Sequence, residues 1–312
     1  MHVNERTLPI AALHAAFGER LQQDQALGRY TSARIGGHAD AVVVARSADE
    51  LAHAAQTLWE LELPFVVMGG GSNMLVSDAG VREVVLLNQA NALQFHEGQD
   101  PSVWAESGAG LGSIARQAAR KGLGGLEWAA GIPGTLGGAV AGNAGAHGGD
   151  MAACVELATI LHREMGRQEW TPADLGFAYR ESWLKRNPGQ AVVLSAQLRL
   201  TQRPEAEIRA QMDEFLAYRR QTQPPGASLG SMFKNPAGNS AGRLIEQAGL
   251  KGKRIGNAQI SPLHGNFFLN LGAARAADVF ALIQEARQAV MDAAGIELEL
   301  EVQLVGEWAQ QD

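Results

Sequence analysis

Cysteine is almost absent from this chain of 312 residues, which contains only Cys154. A single cysteine cannot form an internal disulfide, and it argues against a zinc site built on thiolates. We therefore predict no metal site and interpret Cys154 as a buried, small apolar side chain. The lack of disulfides fits a reducing compartment, so we expect a cytoplasmic protein.

An excess of basic residues is also lacking, since the net charge is −7 and the 19% of charged residues is ordinary for a soluble globular protein. The chain thus lacks the basic surface that nucleic acids and anionic membranes attract. We expect neither as a partner, and we expect a monomer. The N-terminal apolar patch is short and is interrupted by Pro9 and His14, which does not fit a secretory signal.

The least charged stretch covers residues 128–149, where eight glycines and no charged side chain occur in WAAGIPGTLGGAVAGNAGAHGG. Glycine at this density is typical of backbone that turns tightly or touches another molecule. Exposed N–H groups in such loops form concave sites for phosphate oxygens. The stretch therefore predicts a cradle for a phosphate-bearing cofactor.

Three other interpretations of this stretch fit less well. A membrane span would not carry so many glycines together with Pro133, Asn143 and His147. A flexible linker would be richer in serine and charge. The dinucleotide fingerprint GxGxxG is out of register with GIPGTLGG, and no β-branched strand precedes it.

A second glycine loop follows the short apolar segment 65–68, which is predicted to be a strand. This loop is GGGSN, from Gly69 to Asn73. A strand, a glycine loop and small polar donors form a phosphate-binding arrangement, although glycine turns between strands are common. Together with the long glycine stretch, the loop suggests a clamp made of two loops.

Hydrophobic periodicity and capping signals give a mixed order of elements. Residues 1–29 are predicted to be a helical lead-in, and SADE at 47–50 is a capping box that begins a helix. Further helices are predicted at about 111–121, 204–220 and 278–294. Strands are predicted at 41–45, 83–87, 155–161, 192–200 and 267–271, with a final strand in IELELEVQLVG. Pro204, where the sequence becomes charged, is the expected domain boundary.

Several polar residues could carry chemistry. GASLG matches the nucleophile elbow around Ser228, but no strand precedes it, so we reject serine hydrolysis. Ser231 and Lys234 lie beside glycine in GSMFKNP, where an ordinary polar turn is the alternative. Arg180, next to Tyr179, could bind a carboxylate or a phosphate, or simply form a surface ion pair. Glu301 alternates with two other glutamates in a row that could equally be solvated.

The combination of motifs resembles a known family. YTSARIGG, GGGSN, AAGIPGTLGGAVAGNAGAHGG, YRES, GSMFKNPAG, LKG and LEVQLVG occur in the order found in UDP-N-acetylenolpyruvoylglucosamine reductases, the MurB family. The resemblance spans residues 30–306 and implies an α+β fold. It implies a FAD-binding domain of the vanillyl-alcohol-oxidase (PCMH) type at 30–203, with subdomains at about 30–90 and 91–203. A substrate-binding domain would follow at 204–312, and its last strand could return to the FAD domain.

The resemblance also implies roles for individual residues. Catalytic roles fall to Arg180, Ser231 and Glu301, and substrate contacts to Tyr179, Lys234, Asn235 and Lys251. Cofactor contacts fall to Arg34, Ile35, Gly36, Gly69, Gly70, Gly71, Ser72, Asn73, Gly131, Ile132, Pro133, Gly134, Gly138, Asn143 and Gly145. The chain lacks the tyrosine-bearing loop that some members insert after the strand at 192–200, so it resembles the shorter type.

Family membership implies an NADPH-dependent reductase with non-covalent FAD that acts on UDP-N-acetylglucosamine enolpyruvate. Two alternatives stay open at this point. One is an oxygen-using flavin oxidase of the same fold, with His147 or Cys154 as a covalent tether. The other is a nucleotide-binding protein without catalytic activity.

Overall fold

The computed structural model of the protein describes residues 8–308, and these form two compact units. Unit 1 takes the described residues up to Gln23, then Asp40–Gly70 and Arg82–Ala217. Unit 2 takes Asp24–Ala39, Gly71–Val81 and the described residues from Tyr218 onward. Each unit combines helices with strands, which confirms the predicted α+β class.

Helices and strands alternate along the described part of the chain. In chain order, the helices are α1 Ile10–Phe17, α2 Ala48–Glu60, α3 Leu111–Arg120, α4 Leu136–Gly142, α5 Met151–Cys154, α6 Pro172–Leu175, α7 Trp183–Arg186, α8 Glu205–Thr222, α9 Ala241–Gln247 and α10 Ala276–Ala294. The strands are β1 Leu21–Ala26, β2 His38–Ala45, β3 Phe65–Met68, β4 Met74–Val76, β5 Val81–Asn88, β6 Leu93–His96, β7 Ser102–Glu106, β8 Leu123–Gly124, β9 Gly145–Ala146, β10 Gly149–Asp150, β11 Val155–His162, β12 Gly166–Trp170, β13 Ala191–Arg199, β14 Thr201–Gln202, β15 Ala227–Ser231, β16 Arg254–Ile255, β17 Ala258–Ile260, β18 Phe267–Asn270 and β19 Gln303–Val305.

Unit 1 contains two larger sheets. The four-stranded sheet has the order β1-β2-β5-β3, with β3 and β5 parallel, and it shares a core with α2. The five-stranded sheet has the order β12-β11-β13-β7-β6, and its neighbouring strands are antiparallel. Leu161, Val192 and Leu194 of this second sheet extend into the core beside α2. Its other face packs on α3 and α4.

The predicted start of α2 is found in the structure. The Ser47 hydroxyl accepts a hydrogen bond from the Glu50 N–H at 3.1 Å. The Glu50 carboxylate reaches back to the N–H of Arg46 at 2.8 Å. The Ser47 side chain therefore caps the helix as predicted, whereas Glu50 binds the residue before the N-cap and not the Ser47 N–H that a capping box requires.

Unit 2 is built on the antiparallel sheet β15-β18-β17-β16. The long helix α10 and the shorter α9 share an apolar core with this sheet, in which Phe233 and Leu298 are fully buried. Within residues 8–308 no helix is long and apolar enough to cross a membrane.

The division into units differs from the contiguous domains expected at 30–203 and 204–312. The segments 24–39 and 71–81 belong to unit 2 because their backbones bond to its C-terminal part. β4 pairs in parallel with β19, with Leu75 opposite Leu304. The Asn270 amide also donates to the Ala33 carbonyl at 2.9 Å. The last strand, β19, thus pairs with β4, which lies in the sequence range expected for the FAD domain. In the structure, however, both strands belong to unit 2.

The boundary expected at Pro204 also lies elsewhere. The two units separate between residues 217 and 218, inside α8. Ile208 and Met212, in the first half of α8, pack against Ala119 and Ala130 of unit 1. This apolar contact keeps most of the helix with unit 1, which the change in charge at residue 204 could not indicate.

Two predictions of elements were wrong. The lead-in is not helical throughout, because α1 ends before Gly18, which has φ +53°, and β1 follows with a largely polar sequence. The final strand is also shorter than its alternating pattern predicted and covers only β19. Residues 299–301 instead bond to the segment 232–234, with Leu300 opposite Phe233.

Asp78 provides a test of how segment 71–81 is held in unit 2. Its carboxylate oxygens accept from the N–H groups of Ala276 and Ala277, both at 2.8 Å, at the start of α10. We expect Asp78→Ala to lower the free energy of unfolding by about 1 kcal/mol, the usual effect of losing a helix cap. Urea denaturation measures this, with the exposed Asp100→Ala as the control. Equal stability of the two variants would contradict the assignment.

Candidate functional site

The two predicted glycine loops meet in unit 1. A methyl group placed on Gly69 would lie 2.4 Å from the Oγ1 of Thr135, and one on Gly70 would lie 3.2 Å from the Cα of Gly134. Both distances are shorter than an ordinary van der Waals contact. The loops can approach this closely because neither Gly69 nor Gly70 has a side chain.

Open backbone donors lie along this contact. The N–H groups of Leu136 and Gly137, in the first turn of α4, bond to the carbonyls of Ala109 and Ser107. By contrast, the N–H groups of Gly70, Gly134 and Gly138 make no hydrogen bond within residues 8–308. Backbone N–H groups left open on adjoining glycine loops are suited to the oxygens of a pyrophosphate. The residues present therefore fit the diphosphate part of a dinucleotide cofactor.

Asn143 and Gly145, at the end of the same stretch, support a neighbouring turn. Asn143 has φ +42°, and its side-chain amide donates to the Ala178 carbonyl at 2.9 Å. Its side-chain oxygen accepts from the Ala152 N–H at 3.0 Å. The Gly145 carbonyl accepts from the Arg180 guanidinium at 2.9 Å. In this structure both residues hold the turn, and their predicted contact with a cofactor remains a prediction.

Arg180 sits in a strained backbone conformation within that turn. Ala178 and Glu181 exchange two backbone hydrogen bonds across the turn, at 3.0 and 3.1 Å. Arg180 is its third residue and has φ +57°, a left-handed conformation that costs a residue with a side chain about 1 kcal/mol. Its guanidinium lies 5.3 Å from the centre of the Tyr179 ring. Strain of this kind persists where the surrounding structure imposes it and often marks a functional residue.

A pocket of about 290 Å³ opens beside this turn. It is lined by Asn143, Asp150, Ala152, Phe177, Ala178, Tyr179 and Arg180. The Ser182 hydroxyl donates to the Ala141 carbonyl at 2.6 Å and thereby joins the turn to α4. Arg180 is thus held in unit 1 by its contacts with the glycine-rich stretch.

Cys154 and His147, the two residues considered as covalent tethers for a flavin, both contact neighbouring protein groups. Burial raises the pKa of the Cys154 thiol to about 12, and the thiol donates to the Asp150 carbonyl at 3.3 Å. Because the thiolate is the reactive form, Cys154 is poorly suited to bond a flavin. The His147 ring stacks on Phe215 with 4.2 Å between the ring centres.

In unit 2, Gly71 contacts the loop that contains Arg34 and Ile35. A methyl group on Gly71 would lie 2.2 Å from the Tyr30 carbonyl oxygen, and the Ser32 N–H donates to the Gly71 carbonyl at 3.1 Å. Ile35 is buried, whereas Arg34 is exposed with φ +56°. The two motifs YTSARIGG and GGGSN, far apart in sequence, therefore touch in this unit.

Gly36 and Ser72 complete the predicted cofactor residues of unit 2. A methyl group on Gly36, which has φ +148°, would lie 3.0 Å from the Cβ of Val76. Gly36 thus packs against β4, which begins two residues after Ser72.

Ser231 and Glu301 lie on neighbouring segments of unit 2. Ser231 ends β15, and the next residue, Met232, accepts from the Glu301 N–H at 2.9 Å. The Asn73 amide donates to the Glu301 carbonyl at 3.0 Å, and the Gln303 N–H donates to the Asn73 carbonyl at 2.9 Å. The structure therefore brings together Ser231, Glu301 and the last residue of GGGSN.

The residues predicted to contact substrate are engaged with neighbouring groups. The Lys234 ammonium is nearly buried and lies 2.5 Å from the Glu299 carboxylate. The Lys251 ammonium lies 2.8 Å from the Glu246 carboxylate. The Asn235 side-chain oxygen accepts from the N–H of Ala241 at the start of α9. Lys234 is thus paired with Glu299, and its predicted contact with the substrate remains a prediction.

Sequence reasoning missed residues that act through backbone contacts. Asn266, just before β18, bonds to the backbone of Met232 and Phe233. Thr135 lies against Gly69, and Ser182 binds α4. The only sequence signal for Asn266 was its place before a strand, because its partners lie over thirty residues away. Ser228 lies within β15 and not at a turn from strand to helix, which agrees with the rejection of a nucleophile elbow.

Comparison with known proteins gives matches along most of the chain. Residues 39–170 match the family model of a FAD binding domain, and residues 221–305 match that of the UDP-N-acetylenolpyruvoylglucosamine reductase C-terminal domain. The first range contains both glycine loops, and the second contains Ser231 and Glu301. The match to a FAD-binding domain agrees with the donors found around Gly70 and Gly134.

Whole-chain relatives and one solved structure agree with these matches. The reductase of Chloroflexus aggregans is 41% identical over 91% of this chain and 97% of that protein. The corresponding protein of Symbiobacterium thermophilum is 44% identical over 92% of each chain. The crystal structure of UDP-N-acetylenolpyruvylglucosamine reductase from Thermus caldophilus has a TM-score of 0.78 and 39% identity. It covers 92% of this chain and 99% of that one.

The contact between the loops can be tested with Gly69→Ala. The added methyl group would overlap Thr135, and overpacking of this kind costs about 1–3 kcal/mol. If this cost destabilises the complex with FAD and not the free protein, the dissociation constant for FAD rises by roughly 5- to 150-fold. The flavin content of the purified protein and a FAD titration measure the effect.

Two further variants separate this contact from general damage. Gly142→Ala adds a methyl group where no described atom lies within 4 Å, so it should retain FAD. Thr135→Ala in the Gly69→Ala background removes the overlapping Oγ1 and Cγ2 atoms and should restore part of the affinity. Full flavin retention by Gly69→Ala alone would contradict the proposed cradle.

Proposed function

The chain belongs to the UDP-N-acetylenolpyruvoylglucosamine reductase family, and from this we propose that it reduces UDP-N-acetylglucosamine enolpyruvate to UDP-N-acetylmuramate with NADPH, in peptidoglycan precursor synthesis. The chain is thus an oxidoreductase with a FAD-binding domain. The strongest support is similarity that extends over 91% of this chain and 97% of a curated relative. The proposed product requires a hydride and a proton to add across one carbon–carbon double bond.

FAD would be held without a covalent bond. The N–H groups of Gly70, Gly134 and Gly138 are suited to its pyrophosphate, and the neighbouring Ile132 and Pro133 add uncharged surface. The chemistry that bound FAD would supply is the transfer of a hydride, received from NADPH, to the terminal vinyl carbon of the substrate.

Arg180 would stabilise the charge that develops during this reduction. Hydride addition to an enolpyruvyl ether places electron density on the adjoining carboxylate, which is already an anion. A fixed cation lowers the energy of that state, and a guanidinium remains charged and can bind a carboxylate with two hydrogen bonds. The strained turn and the Gly145 contact would hold the guanidinium in place before the substrate arrives.

Glu301 would help only in its protonated form, since an ionised carboxylate would repel the developing anion. As a neutral acid it would donate a hydrogen bond to the substrate carboxylate. Its backbone is fixed by Met232 on one side and by the Asn73 amide on the other.

Ser231 would donate the proton from its hydroxyl oxygen to the carbon that bears the ether oxygen. The hydride forms the new C–H bond at the terminal carbon, and the serine proton forms the second. The serine must then recover a proton from water, so the whole reaction consumes one NADPH and one proton. Lys234 is held by Glu299 and would contribute positive charge nearby without being the direct proton source.

Lys251 and Asn235 would contact the diphosphate of the nucleotide sugar, and Tyr179 would contact the substrate beside Arg180. Because Lys251 is already paired with Glu246, a bound diphosphate would share or replace that carboxylate. β14 leads directly to α8, so the chain has no inserted tyrosine loop at this point.

An anaerobic spectral titration tests the proposed reaction. NADPH should bleach the yellow protein, and UDP-N-acetylglucosamine enolpyruvate should then restore the colour. Recovery of colour with oxygen but not with this substrate would support a flavin oxidase and contradict the proposal.

The role of Ser231 predicts an uneven effect on the two half-reactions. Ser231→Ala should keep FAD and its reduction by NADPH, but it should slow reduction of the substrate by roughly 10²- to 10⁴-fold, since the general acid is lost. Stopped-flow absorbance measures each half-reaction. Ser228→Ala, in the same strand, is the matched control and should behave as the wild type. Equal slowing of both half-reactions in Ser231→Ala would refute the assignment.

Arg180 can be tested by changing its geometry and keeping its charge. In Arg180→Lys we expect substrate reduction to slow by roughly 10- to 100-fold, because one ammonium cannot reproduce a two-point contact with a carboxylate. Reduction by NADPH should be unaffected. Arg186→Lys, in the adjacent helix α7, is the control. Wild-type rates in Arg180→Lys would show that the guanidinium does not act on the substrate.

A further inference from the structure

Asn266 holds the backbone beside Ser231 with its side chain. Its side-chain oxygen accepts from the Phe233 N–H at 2.9 Å, and its side-chain amide donates to the Phe233 carbonyl at 2.8 Å. The Asn266 backbone carbonyl accepts from the Met232 N–H at 2.8 Å. The residue is only 2% exposed, so water cannot readily replace these bonds.

The sheet needs this side chain because its regular pairing is interrupted here. Ser231 lies opposite Phe267, but the register between β15 and β18 shifts between Ser228 and Ser231. In the described part of the chain, no strand partner continues along Phe233 on this side beyond Ser231. The Asn266 carboxamide presents one acceptor and one donor, as a backbone residue does, and so takes the place of the missing partner.

The other side of the same segment is held by residues 299–301. The Glu301 N–H donates to Met232, and the Lys234 N–H donates to the Glu299 carbonyl, both at 2.9 Å. Asn266 and Glu301 therefore fasten the residues after Ser231 from opposite sides. Loss of the Asn266 side chain would leave two buried backbone groups of Phe233 without partners.

We propose that Asn266 is a positioning residue that fixes the Ser231 hydroxyl for proton transfer through its two hydrogen bonds to Phe233. This inference rests on the proposed function, in which Ser231 is the proton donor. Asn266 itself bonds to protein backbone and takes no part in the chemistry.

His264 forms a hydrogen bond with the backbone of Asn266. Its Nδ1 accepts from the Asn266 N–H at 3.2 Å, which requires a neutral ring with the proton on Nε2. Burial lowers the pKa of His264, which favours the neutral ring; a backbone hydrogen bond of His264 and the Glu246 carboxylate oppose this, while Lys251 lowers the pKa further. The direction of the Asn266 backbone is thereby fixed as well.

Two substitutions separate positioning from general stability. Asn266→Ala removes both bonds at every pH, whereas Asn266→Asp removes only the donor to the Phe233 carbonyl while the carboxyl is ionised. A buried carboxyl that faces a carbonyl has a raised pKa, and its protonated form regains a donor. The aspartate variant should therefore recover as the pH falls, and the alanine variant should not.

We expect both variants to slow substrate reduction by roughly 10- to 100-fold at pH 8, the effect of a small displacement of a reacting group. Relative to wild type at the same pH, Asn266→Asp should recover to within about threefold near pH 5.5 as its carboxyl becomes protonated. Reduction by NADPH should stay within about twofold of wild type, because neither variant touches the cofactor loops. Stopped-flow absorbance across this pH range measures both steps.

Hydrogen exchange adds a readout that does not depend on activity. The Phe233 amide should lose protection in Asn266→Ala and keep it in Asn266→Asp, where the acceptor remains. Val290→Ala is the control for stability, since it removes buried methyl groups from the same core and leaves both hydrogen bonds of Asn266 to Phe233 in place. It should lower the melting temperature and leave the ratio of the two half-reactions unchanged.

The outcomes distinguish this inference from the proposed function. Wild-type rates of substrate reduction in Asn266→Ala, with the wild-type protein active, would overturn the positioning role alone. The positioning role would also be overturned if substrate reduction by Asn266→Asp were equally slow at every pH. The same holds if Val290→Ala changed the ratio of the two half-reaction rates as much as Asn266→Ala does. If the wild-type protein does not reduce the substrate at all, or if Ser231→Ala is fully active, the proposed function fails first.

Discussion

The close approach of Gly70 and Gly134 is the constraint on which the proposed cofactor cradle depends. A backbone can pass within 3.2 Å of a would-be methyl group only where no side chain is present, so the loops on both sides must be small and uncharged. Gly134 lies in the stretch 128–149, which contains no charge in a protein that is otherwise ordinarily polar. A charged side chain would separate the loops and would also compete for the open N–H groups. The same contact places the Gly70 and Gly134 backbones side by side, which a single loop could not achieve.

Unit 2 relies on side chains to hold segments that its short strands do not reach. Asn73, Asn266 and Asn270 each bond to backbone carbonyls, and Asp78 caps α10. An amide side chain can replace a strand partner because it carries both a donor and an acceptor. Such contacts hold irregular backbone, which is where the residues with proposed chemical roles occur. The register of β15 and β18 shifts just before Ser231, and the residues after Ser231 then bond to the segment of Glu301.

Local signals in the sequence were sufficient for much of the fold. The cap at Ser47 and the presence of strand β13 depend on neighbours within a few residues, and both were predicted correctly. The burial along β13 does not alternate as its sequence does, because residues 192–196 are all buried. Pairings over long separations were not visible. The final strand was predicted too long because the alternation of Leu298, Leu300 and Val302 records burial in a core and not a backbone partner. Likewise the glycine loops suggested a clamp, but their contact through Thr135 required the structure.

The backbone at Arg180 shows why a site residue can violate local preference. The third position of its turn has φ +57°, where glycine would be more stable and an arginine is strained by about 1 kcal/mol. The fold compensates for this with the Asn143 amide on Ala178, the Ser182 hydroxyl on α4 and the guanidinium on Gly145. These contacts come from residues distant in sequence, so local sequence preferences could not reveal the conformation of the turn.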